Sequence, residues 1–212
     1  MYPTPLRDDL FVLAHDDAGR SHVHAPTLGV GLAGAVLIEL AFAGRIALSW
    51  SRVVVPDRRP TGDSINDRTL GTILHAGTAR GLQAWLGDLS QDEYDRVQGA
   101  LVADGVLRRT TVRRLGVMPV TRYRLVGPAT KTRVRARLRY AVTGVEASDP
   151  PTAALCSLVR VLRLEGHLHL DRPTGEVLAR LDYIARGQHD VIRAIVAAFD
   201  DVIAAGAVSV YR

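Results

Sequence analysis

Residues 31–48 read GLAGAVLIELAFAGRIAL. Within this stretch, Ala35 to Ala43 form a run that is apolar nearly all round, and Gly44 closes it. A helix without a polar face is typical of the centre of a globular protein. The stretch therefore predicts a buried central helix, on which Glu39 is a lone carboxylate held by a structural hydrogen bond.

A membrane-spanning helix is the alternative interpretation of this segment. From Thr27 to Gly44 the chain has about 18 residues of suitable character, which is the lower limit for crossing a bilayer. The segment also contains Glu39 and four glycines, and these residues argue against a span.

Length and composition indicate one globular domain over residues 1–212. Of the 212 residues, 47% are apolar and 23% are charged, which is ordinary for a folded soluble protein. Cys156 is the single cysteine, so a disulfide within the chain is excluded and a reducing compartment is indicated. The first residues lack the pattern of a signal peptide, and we expect a cytoplasmic protein.

The basic residues are concentrated in one block. Between Gly105 and Val145 there are ten arginines and Lys131, with no Asp or Glu, whereas the rest of the chain has 16 basic and 22 acidic residues. A charge block of this kind indicates an anionic partner, either a membrane surface or a nucleic acid.

The remaining chain is predicted to be mainly helical, with a protruding β-hairpin at about 106–126. Apolar residues at helical spacing predict helices at 6–13, 65–74, 82–89, 91–104, 132–142, 152–165, 176–185 and 189–205. Ser90 with Glu93 forms a capping-box pattern that would start a new helix. Residues 21–26 are predicted to be extended, and short strands are predicted at 46–48 and 53–55.

Several short motifs resemble catalytic or metal-binding sites, but each lacks the neighbouring residues or elements that such a site needs. Gly29, Gly31 and Gly34 fit the dinucleotide-binding spacing, but no buried strand precedes them, so close helix packing is the preferred explanation. The histidine pairs 22/24 and 167/169 have no clear third metal ligand. Cys156 lies among apolar residues, as a buried thiol does. We expect no enzymatic activity, no cofactor and no metal.

Two interpretations of the basic hairpin stay open. In a winged helix, arginines of a wing contact the phosphates of nucleic acid. In a membrane-binding hairpin, an apolar tip inserts between anionic headgroups inside an arginine collar, formed here by Arg113, Arg114, Arg122 and Arg124. The membrane interpretation is preferred because a wing does not need an apolar tip. It predicts nine membrane-binding residues: Arg108, Arg109, Arg113, Arg114, Leu115, Val117, Met118, Arg122 and Arg124.

The order of segments along the chain resembles the Golgi phosphoprotein 3 family. The segments that carry the resemblance are GLAGAVLIELAFAGRIAL (31–48), PTGDSINDRTL (60–70), AWLGDLS (84–90), LVADGVL (101–107) and VIRAIVAAF (191–199). The resemblance implies a mainly α-helical, peripheral membrane protein of bacterial type. It also implies a protruding hairpin and recognition of phosphatidylinositol 4-phosphate.

The chain departs from the family at the headgroup pocket. Eukaryotic members use one tryptophan and three arginines there, and the matching positions in this chain are His24, Ala33, Gln91 and Tyr94. None of the four keeps the family's residue type. The expected partner is therefore an anionic lipid, either the phosphoinositide or another. Nucleic acid is the less favoured partner, a homo-oligomer formed through the hairpin stays open, and the sequence names no client protein.

Overall fold

The computed structural model describes residues 4–77, 80–114, 118–144 and 148–209, and for residues 112–114, 118–120 and 207–209 it describes the backbone alone. Within these ranges the helices are α1 (Leu6–Leu13), α2 (Ala25–Phe42), α3 (Ser64–Ala76), α4 (Leu82–Ala103), α5 (Pro128–Thr143), α6 (Pro150–Val161), α7 (Thr174–Arg186) and α8 (Asp190–Ser209). The strands are β1 (Ala47–Ser49), β2 (Arg52–Val54), β3 (Leu107–Arg114) and β4 (Met118–Leu125), and a 3-10 turn covers Glu165–Leu168. The mainly α-helical class with a β-hairpin is confirmed.

Helix α2 is the central helix that its sequence predicts. It contacts α1, α3, α4, α6 and α8, and Leu32, Val36 and Leu37 on it are fully buried. By length and composition it is the one helix in the described ranges that can cross a membrane, and 67% of that 18-residue window is buried inside the fold. The helix is apolar on all sides because other helices pack against it on all sides.

Two glycines let other parts of the core approach α2 closely. A Cβ atom on Gly29 would lie 2.7 Å from the carbonyl oxygen of Ser90 on α4. A Cβ atom on Gly31 would lie 3.1 Å from Leu162 and 3.3 Å from Phe199. These contacts support the interpretation of the glycine spacing as a packing device.

Helix α4 is continuous from Leu82 to Ala103, so the predicted break at a Ser90–Glu93 capping box is wrong. The Ser90 hydroxyl donates to the Gly87 carbonyl within the helix at 2.8 Å, and Glu93 is fully buried beside Arg96. Buried residues continue along the helix from Leu82 to Leu101. Packing of this long apolar face therefore outweighs the local capping preference.

Two other predicted boundaries are also wrong. Helix α2 already begins at Ala25, with Pro26 in its first turn, where proline is tolerated because its missing N–H has no partner there. Helix α6 ends at Val161 instead of Glu165, because Arg163 adopts a left-handed backbone conformation with φ of 55°.

The antiparallel packing of α2 and α4 places the two strand pairs at opposite ends of the helices. Gly29 lies against Ser90, whereas Gly34, further along α2, lies against Leu86. The β3–β4 hairpin follows the end of α4, and β1–β2 follows the end of α2, where Arg52 bridges to Gly81 just before α4 begins. An 18-residue helix such as α2 is about 27 Å long, so the two pairs are separated by roughly this length.

Candidate functional site

The β3–β4 hairpin is the predicted site, and its base is part of the core. Leu107 is 4% exposed, and its cross-strand partner Leu125 packs half-buried against the core. The Val126 amide donates to the Val106 carbonyl at 3.0 Å and closes the base of the ladder. Because side chains alternate between faces along a strand, this anchoring fixes which face each later pair occupies.

Three arginines lie together on one face of the hairpin. Arg108 pairs directly with Arg124, and Thr110 with Arg122 is the next pair on the same face. Arg108 and Arg124 are exposed and Arg122 is half-buried. Directly paired side chains have Cβ atoms about 5 Å apart, so like charges in such a pair repel each other. Within the described part of the chain, no carboxylate forms an ion pair with any of the three.

The other predicted site residues belong to the opposite face or to the tip. Arg109 is exposed and pairs with Tyr123, on the face that includes Leu107. The backbone ladder continues to the pairs Arg113 with Pro119 and Arg114 with Met118. The side chains of Arg113, Arg114 and Met118 lie outside the described residues, as do Leu115 and Val117 entirely. Of the arginine collar, the structure therefore describes the side chains of Arg122 and Arg124.

The loop after α1 supports the hairpin from the side. Gly19 has φ of 75°, and a Cβ atom there would lie 2.1 Å from the carbonyl oxygen of Tyr123. Lys131, which is 4% exposed, donates to the His15 carbonyl at 2.7 Å and to Asp17 Oδ1 at 2.8 Å. This lysine belongs to the basic block in sequence, but in the structure it fastens the loop to α5.

Arg137 is a second residue of the basic block with a structural role. Its guanidinium contacts the carboxylate of Asp9, which is fully buried, at 2.8 Å. Burial raises the pKa of Asp9, and the positive charge of Arg137 opposes that rise. The eleven basic residues therefore do not form one uniform cationic surface.

The four positions matched to the family's headgroup pocket carry no arginine or lysine. His24 is the exposed residue directly before α2, Gln91 is exposed on α4, and Ala33 is fully buried. The Tyr94 hydroxyl lies 3.1 Å from Nε2 of His15, a histidine whose pKa is lowered by burial. These positions do not reproduce a cationic pocket.

Comparison with protein families agrees with the sequence resemblance. A family model described as Golgi phosphoprotein 3 (GPP34) matches residues 6–204. The chain belongs to the Golgi phosphoprotein 3 family. No curated protein matches it. Golgi phosphoprotein 3-like proteins in general bind phosphatidylinositol 4-phosphate, and the family is not known as an enzyme family.

A buried ionic network connects three parts of the fold in this member of the Golgi phosphoprotein 3 family. Arg7 on α1 is 3% exposed, and its guanidinium contacts Glu39 on α2 and Asp63, the residue that caps α3. The Arg7 amide also donates to Glu39 at 2.9 Å. The predicted structural hydrogen bond of Glu39 is confirmed, and burial raises its pKa. Burial likewise raises the pKa of the neighbouring Asp8 to about 7.

Trp50 is an exposed residue that the sequence interpretation missed. Its side chain is 96% exposed at the turn between β1 and β2. Trp50 and Ser51 have φ of 51° and 60°, the left-handed geometry of a tight two-residue hairpin turn. Glycine or asparagine normally marks such a turn, so no familiar sequence signal was available.

The contacts of His22 and His167 and the burial of Cys156 are those of structural residues. The ring of His22 stacks on that of His167 with centroids 3.7 Å apart, and burial is the main cause that lowers the pKa of each. Among the described residues, no group of three or more His, Cys, Asp or Glu side chains is arranged to hold a metal. Cys156 is fully buried, and burial raises its pKa to about 12.

Proposed function

We propose that this protein associates reversibly with anionic membranes through the β3–β4 hairpin, as a peripheral protein on the cytoplasmic side. One observation carries the proposal: Arg108, Arg122 and Arg124 share a face and have no carboxylate partner among the described residues. Lipid phosphates placed against this face would relieve the repulsion between the paired arginines.

The magnitude of the charge effect indicates that the tip must also take part. Each arginine near an anionic surface contributes about 1 kcal/mol, so three contribute about 3 kcal/mol, which corresponds to an affinity weaker than about 1 mM. Full burial of an apolar side chain such as Leu115, Val117 or Met118 adds about 1.5–3 kcal/mol. Insertion of the tip is a sequence-based part of the proposal, because these side chains lie outside the described residues.

The proposed ligand is an anionic phospholipid, for which family membership suggests phosphatidylinositol 4-phosphate. Because His24, Ala33, Gln91 and Tyr94 provide no arginine or lysine, we expect the charge of the vesicle to matter more than the headgroup. Binding to general anionic vesicles should therefore be close to binding to phosphoinositide vesicles of equal charge.

Nucleic acid is a weaker candidate because of the helix that precedes the hairpin. Helix α4 occupies the place of a recognition helix, but its exposed residues include Asp88, Asp92 and Asp95. The one arginine of α4, Arg96, is already paired with Asp92, so the helix offers no unpaired cation to the phosphates of DNA. Duplex DNA therefore serves as a comparison ligand in the test.

The test is co-flotation of the full chain with neutral, general anionic and phosphatidylinositol 4-phosphate vesicles at physiological salt. Replacing both Arg108 and Arg124 with Gln removes about 2 kcal/mol of attraction, so the vesicle-bound fraction should correspond to an affinity about 30-fold weaker. The control variant replaces Arg58 and Arg68, two exposed arginines outside the hairpin, with Gln and should float like the wild type.

Three results would contradict the proposal. They are absence of binding to every vesicle, equal loss in the hairpin and control variants, and salt-dependent binding to duplex DNA in place of vesicles. Met118→Glu tests the tip separately, since a charge there opposes insertion. If its flotation is unchanged, the tip takes no part in binding. A mass measurement in solution would reveal oligomerisation through the hairpin.

A further inference from the structure

A second cationic feature shares no residue with the hairpin and lies in a groove between α5 and the 3-10 turn Glu165–Leu168. The groove has a volume of about 490 Å³. Its α5 wall is one helix face, since the lining residues recur every three or four positions. Its polar lining residues are Thr132, Arg135, Arg139, Tyr140, Thr143 and His169.

The two arginines of the groove place like charges on one helix face. Arg135 and Arg139 are one turn apart on the same face, where like charges destabilise a helix. Neither forms an ion pair with a described carboxylate. The Nε atom of Arg135 is also buried without a hydrogen-bond partner among the described residues, an arrangement that disfavours the folded state.

Asp17 is close enough to Arg135 to interact with it electrostatically, but its carboxylate is already bound to Lys131. Its Oδ1 accepts a hydrogen bond from Lys131 at 2.8 Å. That bond and the charge of Lys131 are the main causes that lower the pKa of Asp17, and Arg135 and His169 add to the effect. Because Asp17 is bound to Lys131, its single negative charge does not neutralise both Arg135 and Arg139.

His169 lies at the other wall in a constrained conformation. Its φ of 51° is left-handed, which is uncommon for a residue other than glycine. The Arg139 guanidinium donates to the His169 carbonyl at 3.3 Å. Because a guanidinium has five N–H donors, this one bond leaves Arg139 with donors for a ligand.

We propose that this groove binds a phosphate monoester, held by Arg135 and Arg139 with the exposed hydroxyl of Thr132 as a further donor. Guanidinium groups pair with phosphate oxygens through two parallel hydrogen bonds. The ligand is either the headgroup of a lipid or a soluble phosphorylated compound, since both present the same chemistry. The proposal goes beyond membrane binding by the hairpin and does not depend on it.

The direct test is calorimetric titration of the full chain at low salt with two soluble probes, inositol 1,4-bisphosphate and inorganic phosphate. Saturable binding of at least one probe is expected. Arg135→Gln and Arg139→Gln should each weaken it about tenfold or more, because each removes charge-assisted hydrogen bonds. The matched control is Arg133→Gln, which removes the same charge from an exposed position of α5 that does not line the groove.

Two results would overturn the proposal. One is absence of saturable binding with both probes. The other is an equal loss in Arg133→Gln, which would mean that binding follows general charge and not the groove. Thermal unfolding of each variant without probe verifies that it folds. The Arg108→Gln/Arg124→Gln variant should keep its probe affinity, so failure of the hairpin proposal is separable from failure of this one.

Flotation of Arg135→Gln with phosphatidylinositol 4-phosphate vesicles distinguishes the two sources of phosphate. If the vesicle-bound fraction falls together with probe affinity, the groove binds a lipid headgroup. If flotation is unchanged while probe affinity falls, the groove binds a soluble phosphorylated compound. Either result supports the site.

Discussion

Replacing Gly29 with alanine should destabilise the fold, because α2 and α4 are in contact at this glycine. The added Cβ atom would lie 2.7 Å from the carbonyl oxygen of Ser90, and backbone atoms cannot give way as a flexible side chain can. Overpacking of a core costs about 1–3 kcal/mol. The better helix propensity of alanine returns about 1 kcal/mol.

The same substitution at Gly34 is the matched control and should have the opposite sign. Gly34 is on the same helix and also lies in the core. A Cβ atom there would lie 3.8 Å from Leu86 Cδ2 and 3.9 Å from Leu158 Cδ2, which is ordinary contact with side-chain ends. Only the propensity gain of up to about 1 kcal/mol remains.

Thermal and urea unfolding followed by circular dichroism measure the difference. For a chain of this size, 1 kcal/mol shifts Tm by about 2–4 °C. Gly29→Ala should therefore unfold below Gly34→Ala by about 2–12 °C, since overpacking separates the two variants by about 1–3 kcal/mol, and Gly34→Ala should unfold at or above the wild type. If Gly29→Ala is as stable as Gly34→Ala, the close approach of α2 to Ser90 does not exist as described. The packing explanation of the glycine motif would then fail.

Four further outcomes follow from the same structure. Burial raises the pKa of Asp8 from 3.8 to about 7. The stability that its bound proton contributes is therefore fully present below about pH 4 and is lost as the pH rises to about 7. The urea midpoint of the wild type should fall across this range, and that of Asp8→Asn should fall less. Arg7→Met should lower the free energy of unfolding by about 3–5 kcal/mol in a urea titration, because it leaves the carboxylate of Glu39, whose side chain is 11% exposed, without its cation. The emission maximum of Trp50 should not shift when vesicles are added, because Trp50 lies at the end of α2 that is away from β3–β4. A blue shift would mean that the β1–β2 end of the molecule contacts the membrane instead. Arg124→Glu should raise Tm slightly, because a glutamate opposite Arg108 forms a favourable cross-strand pair that contributes about 0.2–1 kcal/mol. Vesicle binding by this variant should fall. A decrease in both Tm and vesicle binding would indicate that Arg124 has a structural role.

The sequence predicts the central helix and the hairpin because each depends on a strong local pattern. The apolar run of α2 needs neighbours on every side, and the alternation around 106–126 has a turn at its centre. The capping box at Ser90 is an equally clear local pattern, but it is wrong. A capping preference of about 1 kcal/mol is outweighed where Leu82 to Leu101 continue one buried face.

Other features depend on partners that are distant in sequence. Glu39 on an apolar helix indicates that a cation or donor must approach it, but nothing in the sequence identifies Arg7, which is 32 positions away. The stack of His22 on His167 likewise depends on how the loop after α1 meets the 3-10 turn. The exposure of Trp50 follows from a left-handed turn that lacks its usual glycine.

The arginine block shows most clearly why structure is needed to interpret charge. In sequence, Lys131, Arg137, Arg108 and Arg124 are equivalent members of one basic segment. In the structure, Lys131 and Arg137 have carbonyl or carboxylate partners at 2.7–2.8 Å. Arg108 and Arg124 instead lie directly opposite each other on the two strands of the hairpin. A cation that has an internal partner contributes to the fold, and it offers little to an external anion. Two cations held side by side repel each other, and in the proposed function an anionic lipid would neutralise them.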